Sequence, residues 1–199
     1  MLSLSGLMGT SCTKDAEKGD PVFALPPETQ TGANTFGCIV NNQVFYPRDG
    51  QGSLFVGGSK GLTFWGDHTL GQNLYNEIKI NNAKDGKPCS NMIIHLQGLD
   101  QIGVGVYIWK ITNFQNNIDG MMHNYVYAKI YDAATDNWKY YGSYENSGKV
   151  TITRFDLPNR ICSGNFNGKL RLYNGTAEIE IINGRFDLKW DTLNTTSFP

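Results

Sequence analysis

The stretch GKVTITRFDLPNRICSGNFNGKLRLYNGTAEIEIINGRFDLKW, residues 148–190, decides the fold class of this chain. It contains the dipeptide Asn174-Gly175, which tolerates the positive φ angles that both central residues of a type I′ hairpin turn require. A two-residue loop at this dipeptide predicts four cross-strand pairs: Arg171 with Glu178, Lys169 with Glu180, Leu170 with Ile179, and Leu172 with Ala177. One face of the hairpin is then charge-complementary and the other apolar, as a half-buried antiparallel pair requires.

The same pattern of short β-type runs continues on both sides of this hairpin. Runs rich in β-branched and aromatic residues alternate with Gly-, Asn- and Asp-rich turns from Thr35 onward, and no stretch keeps a sustained helical period. Residues 104–112 are apolar on both parities, which predicts a strand covered on both faces, and residues 113–122 leave room for one short helix. We expect a single all-β domain over residues 35–199. A two-sheet antiparallel sandwich of about 10–12 strands is favoured over the alternative, a closed β-barrel.

Composition excludes several classes of function. A formal net charge of −1 and a pI near 6.3 give no electrostatic basis for binding nucleic acid. His68, His95 and His123 lie far apart in sequence and have no metal-ligand spacing, so we expect neither a metal nor a cofactor. The sequence contains no catalytic constellation, and we expect a monomer that is not an enzyme. A GxSxG match at residues 57–61 lacks the strand-to-helix context of a nucleophile elbow.

The N-terminus has the features of an exported, lipidated protein. Residues 1–11, MLSLSGLMGTS, are short, apolar and rich in small residues, and Cys12 follows directly, as at the end of a lipoprotein signal peptide. The alternative is a fortuitous N-terminal cysteine. Residues 12–34 have the composition of a disordered tether that begins at the lipidated Cys12. We therefore expect a membrane attachment through lipid alone, at the outer membrane, with the domain at the cell surface or facing the periplasm.

The remaining three cysteines allow one disulfide at most. With Cys12 set aside, Cys38, Cys89 and Cys162 remain, and no two of them have CxxC spacing. We expect a Cys38–Cys89 disulfide, with buried free thiols as the alternative.

Several segments together carry a resemblance to a known family. LPPETQTGANTFGC, FWG, YNEI, LDQIGVGVY, SYENSGKVTITRFD, NRICSGNF and NGRFDLKWDTL resemble a family of Bacteroidetes lipoproteins whose domain has no assigned function. The resemblance covers nearly the whole chain after Cys12. Residues 14–17, KDAE, also resemble the acidic export signal of Bacteroidetes surface lipoproteins, and the alternative for them is a solvated linker. The resemblance implies a secreted or surface-anchored all-β domain and implies no activity, cofactor or catalytic residue.

Aromatic residues are the strongest candidates for ligand binding. Strand parity puts Trp109 and Trp190 in the core and directs Trp65, Trp138, Tyr140 and Tyr141 outward. Trp65 is close in sequence to Asp67 and His68, and we expect the candidate ligand-binding residues to be Trp65, Asp67, His68, Trp138 and Tyr140. The sequence favours a non-catalytic module that binds a glycan or another surface ligand. The alternative is a structural or adhesion component that binds a protein partner.

Overall fold

The structure, a computed structural model, describes residues 24–51, 58–66, 75–83 and 89–199. The described residues form eleven strands: β1 (Thr35–Val40), β2 (Gln43–Phe45), β3 (Leu62–Gly66), β4 (Tyr75–Asn82), β5 (Ser90–Gln97), β6 (Gly105–Ile108), β7 (Tyr125–Asp132), β8 (Asn137–Gly142), β9 (Gly148–Asp156), β10 (Ile161–Leu172) and β11 (Glu178–Lys189). They also form one short helix, α1 (Leu99–Ile102), and single turns of 3₁₀ helix at Asn117–Asp119 and Leu193–Thr195. The predicted all-β class is confirmed.

Hydrogen bonds join these strands in one antiparallel sheet that curls into a half-barrel. The main order is β2-β1-β11-β10-β8-β7-β5-β4-β3. The sheet branches at β10, because one edge of this twelve-residue strand pairs with β9 and then, near its end, with β8. Register shifts along β10 mark the irregular points at which such a long strand can bend. The division into two sheets that a sandwich requires is not confirmed, since the described strands are continuously hydrogen-bonded.

The β10–β11 hairpin has the predicted register. Arg171 pairs with Glu178, Lys169 with Glu180, and Leu170 with Ile179, and the Leu172 N–H donates to the Ala177 carbonyl at 2.8 Å. The Arg171–Glu178 ion pair, 3.0 Å long, lies on the solvent side, whereas Leu170 is fully buried. A shift by one residue would exchange these two environments, so burial of the apolar side holds the register.

The turn of this hairpin differs from the predicted type I′ geometry. Asn174 has a φ of 55°, but Gly175 is not in the left-handed region. The Gly175 N–H instead donates to the Leu172 carbonyl at 3.1 Å. The tight turn therefore begins at Leu172, one residue earlier than predicted.

A single core fills the inside of the curl. Neighbouring strands contribute cross-strand rows such as Ile78, Ile94 and Val126, all of them fully buried. Trp109 is fully buried in this core, as predicted. Trp190 is partly buried and packs its ring against Phe155.

The strand after α1 is covered on one face only, which corrects the prediction of a strand covered on both. Tyr107 is buried, but Val104, Val106 and Ile108 are exposed. The reason is topological: β6 is an edge strand that pairs with β9 alone. The apolar residues on its second face have no neighbouring layer in the described part of the chain.

Residues assigned from sequence to the tether are attached to the domain. Asp187, on β11, is buried and accepts hydrogen bonds from the Thr29 hydroxyl at 2.6 Å, the Gly32 N–H at 2.8 Å and the Ala33 N–H at 3.1 Å. Leu25 is buried as well. The ordered domain therefore includes residues before Thr35. Cys12 and the signal-like residues 1–11 lie outside the described residues.

The predicted Cys38–Cys89 disulfide is not formed. Cys38, Cys89 and Cys162 are all free thiols, and Cys38 and Cys162 are buried. Burial raises the pKa of both buried thiols, which keeps them protonated and unreactive. The alternative of buried free thiols therefore describes Cys38 and Cys162, while Cys89 is partly exposed.

Candidate functional site

Two strands of the outer face present a group of exposed aromatic rings. Trp138 and Tyr140 alternate along β8, so both side chains point away from the core, and the exposed fraction of Trp138 is 37%. Tyr173 follows β10 and donates its N–H to the Tyr140 carbonyl at 2.8 Å, which brings a third ring to the same side. We call Trp138, Tyr140, Tyr173 and Lys129, which lies against the rings of Trp138 and Tyr140, the aromatic platform.

Lys129 holds its charge against two of these rings. It lies directly opposite Tyr140 in the β7–β8 ladder, and its Nζ is 4.4 Å from the Trp138 ring centroid and 5.7 Å from that of Tyr140. Such contacts attract a cation to the negative face of the ring. Tyr131, opposite Trp138, supports that ring edge-on at 5.7 Å between centroids. The ladder thus builds the platform from residues that lie next to one another only after strand pairing.

Tyr141, which was predicted to be exposed, is buried, so this prediction is wrong. It has the opposite parity to Tyr140, and its ring is buried in the core. The predictions that Trp138 and Tyr140 point outward are confirmed.

Trp65 is exposed, as predicted, but it lies far from the platform. Its exposed fraction is 39%, and its ring meets Tyr75 edge-on at 5.8 Å between centroids. Four strand spacings, about 19 Å, separate β3 from β8, and six residues of β7, about 20 Å, separate the row of Trp65 from that of Trp138. The five predicted ligand-binding residues therefore do not form one site. Asp67 and His68 lie outside the described residues.

The row that contains Trp65 also contains a buried acid–imidazole pair that the sequence analysis did not identify. Trp65 lies opposite Glu77, Glu77 opposite His95, and His95 opposite Tyr125. The His95 Nδ1 is 2.8 Å from the Glu77 Oε1, and both side chains are buried. The imidazole lies between the Tyr125 ring at 4.4 Å and the Tyr75 ring at 5.0 Å. His95 lies on the strand face opposite Ile94 and Leu96, and it is buried and hydrogen-bonded rather than exposed to solvent.

A loop covers this pair. The Asn117 N–H donates to the Glu77 Oε1 at 2.9 Å, and the Tyr125 hydroxyl donates to the Gln115 carbonyl at 2.8 Å. The Glu77 Oε2 and the His95 Nε2 are buried and have no hydrogen-bond partner among the described residues. The sequence carried only a parity signal, which places Glu77 and His95 on the strand faces opposite Ile78 and Ile94. Strand partners cannot be read from that signal.

A cleft of about 670 Å³ opens between the β1–β2 hairpin and the β7–β8 hairpin. Its apolar wall includes Val40, Phe45 and Ile130. At its rim Lys139 and Asp132 form an ion pair of 2.6 Å, which neutralises both charges. Tyr131 borders the cleft and also touches Trp138, so the platform begins where the cleft ends.

Two lysines, Lys129 and Lys79, lie on the outward face of the sheet at or beside the platform. Lys129 and Lys79 both act on Cys89: burial raises the pKa of this thiol, while a hydrogen bond from the Asn82 backbone and the charges of Lys129 and Lys79 lower it in part. Among the described residues, no carboxylate forms a salt bridge with either lysine. Within the part of the chain that the structure describes, the two cations are thus not neutralised by a carboxylate.

The described residues contain no group of three or more His, Cys, Asp or Glu side chains that could hold a metal ion. None of the helices in this part of the chain is long and apolar enough to cross a membrane. Comparison of the chain with protein-family models, with curated proteins and with solved structures finds no match in any of the three.

Proposed function

We propose that this protein is a non-catalytic binding module, attached to the outer membrane through lipid on Cys12, that binds glycans at its aromatic platform. The observation that carries the proposal is the exposed group of Trp138, Tyr140 and Tyr173 on one open face of the sheet. The lipid anchor is supported by the sequence around Cys12 and by the resemblance to Bacteroidetes lipoproteins.

The chemistry of sugars fits such a surface. A pyranose ring has apolar C–H faces that pack on flat aromatic side chains, and hydroxyl groups that need amide or charged partners. The exposed fractions of Tyr140 and Tyr173 are 43% and 58%, so both rings are open to a ligand. Asn91 lies directly opposite Lys129 in the β5–β7 ladder and is partly exposed, which adds an amide next to the rings.

The test compares two tryptophans of nearly equal exposure in different places. The full-length protein is screened on a glycan microarray, and the strongest ligand is then titrated by calorimetry into Trp138→Ala and Trp65→Ala variants. We expect the Trp138→Ala substitution to remove most of the affinity and the Trp65→Ala substitution to leave it unchanged. Neither residue is a core residue, so both melting temperatures should stay close to that of the parent protein.

Two results would contradict this assignment. Loss of binding in the Trp65→Ala protein, with binding kept in the Trp138→Ala protein, would move the site to the region of Trp65, Asp67 and His68. A folded parent protein that binds no glycan would contradict glycan binding altogether.

A second candidate function, adhesion to a protein partner, is favoured by the exposed apolar side of β6. Val104, Val106 and Ile108 share one face of this edge strand, and Ile102 precedes them. An apolar edge strand fits an extended segment of a partner protein that adds to the sheet through main-chain hydrogen bonds. A Val106→Lys substitution should then abolish cell adhesion while leaving glycan binding intact. Unchanged adhesion in that variant would argue against this role for β6.

A further inference from the structure

The platform contains a positive charge that no described side chain neutralises. Lys129 lies in the middle of β7, where its backbone pairs on both sides, with Asn91 and with Tyr140. The nearest carboxylate along β7, Asp132, is already paired with Lys139 at 2.6 Å. The ammonium group of Lys129 therefore rests on ring faces rather than on a carboxylate.

This placement directs the ammonium group to where a sugar would lie. Because Nζ is within 4.4 Å of the Trp138 centroid and 5.7 Å of the Tyr140 centroid, it stands above the same rings on which a pyranose would pack. A ligand that stacks on these rings must meet the cation. A neutral sugar would displace the ammonium from the rings without replacing the attraction, whereas a carboxylated or sulfated sugar would replace it with an ion pair.

The surroundings extend the positive potential. Lys79 lies on the same outward face as Lys129, in the neighbouring cross-strand row, and Asn91 separates the platform from β4. Both lysines are partly exposed, and accessible charges of one sign raise the local concentration of oppositely charged ligands. Acidic sugars fit this surface better than phosphopeptides do, because the exposed rings offer stacking faces for successive pyranoses.

We propose that the aromatic platform selects anionic glycans, with Lys129 as the residue that recognises the carboxylate or sulfate group. This inference rests on the proposed glycan binding and adds the class of ligand to it. The stacking rings bind the sugar, and the charge of Lys129 distinguishes an acidic sugar from a neutral one.

The test compares acidic oligosaccharides with their neutral methyl esters and with an unrelated neutral oligosaccharide. The full-length protein is titrated by calorimetry with tetragalacturonate and tetraguluronate, with the methyl esters of both, and with maltotetraose as a neutral oligosaccharide. We expect at least one free acid to bind about tenfold more tightly than its ester. The preference should shrink as salt is added, since this surface is open to solvent.

Two lysine variants separate recognition from general charge. Lys129→Met keeps the aliphatic stem over the rings but removes the ammonium group, and it should bring the affinities for the acid and for the ester to the same value. Lys149→Met, at an exposed position of β9, removes the same charge elsewhere and should leave the preference unchanged.

The outcomes distinguish the two proposals. Equal binding of acid and ester, or an acid preference that survives Lys129→Met, would overturn the inference about anionic glycans and leave glycan binding standing. Binding of maltotetraose alone would do the same. Absence of binding to all five oligosaccharides would overturn the inference about anionic glycans. If the protein also binds nothing on the full glycan microarray, the proposed function is overturned as well.

Discussion

Asp187 ties the N-terminal segment to the sheet, and an Asp187→Asn substitution should release it. The carboxylate accepts hydrogen bonds from the Thr29 hydroxyl, from the N–H groups of residues 31–33 and from the Ser163 hydroxyl at 2.7 Å. An amide in its place keeps one acceptor oxygen and introduces an NH₂ group that faces donors. The buried donors then lose their partner, which carries a desolvation cost.

The magnitude follows from the pKa of Asp187. Burial by itself would raise this pKa, but the hydrogen bonds from Thr29, Ser163, Ala33 and Gly32 outweigh burial and lower it from 3.8 to about 2. At about 1.4 kcal/mol per pKa unit, the ionised carboxylate contributes about 2 kcal/mol to the free energy of unfolding. Because the folded-state pKa lies below the unfolded one, this contribution is present above about pH 4 and is lost as the pH falls through about 2.

The assay is urea unfolding of the parent protein and the Asp187→Asn variant over that pH range. We expect the variant to be less stable by about 2 kcal/mol near neutral pH, and the difference to shrink toward zero below about pH 2. Asp132 and Asp156 also have lowered pKa values, but both proteins share them, so their effects cancel in the difference. Limited proteolysis should cut the variant faster within residues 24–34.

Asp156→Asn is the matched control, since it removes a partly exposed carboxylate that binds Arg154 at 2.6 Å. It should cost far less stability than Asp187→Asn, because solvent screens this pair. A loss of stability in Asp187→Asn that stays constant from neutral pH to about pH 2 would refute the reasoning, since it would show that the charge does not contribute.

Three further predictions concern packing, the buried pair and the anchor. Gly148→Ala should lower the free energy of unfolding, measured in urea, by about 1–3 kcal/mol, because the added methyl group overlaps the Trp109 indole. Gly105→Ala is the control: its methyl group would meet its nearest neighbour at 3.7 Å, so the free energy of unfolding should hardly change. His95→Phe keeps the stacking between the two tyrosines but removes the imidazole that is hydrogen-bonded to the buried Glu77 carboxylate. It should lower the free energy of unfolding by about 3 kcal/mol, measured in urea. A stability equal to that of the parent protein would show that this hydrogen bond contributes nothing. Cells that express the full-length gene should incorporate labelled palmitate into the protein, and Cys12→Ala should abolish the label; label retained in that variant would exclude Cys12 as the lipid site.

Local patterns in the sequence were sufficient where a property depends on a residue and its near neighbours. The pairing of Arg171 with Glu178 could be predicted because a two-residue alternation and a short turn leave one register that buries Leu170. The outward direction of Trp65 and Trp138 follows from the same parity. In residues 104–108, however, the alternation of side chains could not predict whether a second layer of the structure covers Val106.

The buried pair and the attachment of the N-terminal segment depend on partners that are distant in sequence, while the platform depends on the register of the β7–β8 hairpin. Lys129 meets Trp138 because β7 and β8 pair in one register, and Glu77 meets His95 across β4 and β5, eighteen positions apart. The attachment of residues 29–33 to Asp187 spans more than 150 positions. No local pattern encodes such contacts.

The sequence by itself determined the all-β class, the register of the last hairpin and the outward direction of Trp65, Trp138 and Tyr140, because these follow from the period of a strand and the burial of its apolar side. Only the tertiary structure decided that the strands form one curled sheet, that β6 is an uncovered edge, and that Trp65 lies apart from the platform. The physical reason is that strand order and curvature are set by the competition among all apolar faces for one core. Many strand orders satisfy the same local alternation, and the chain as a whole selects among them.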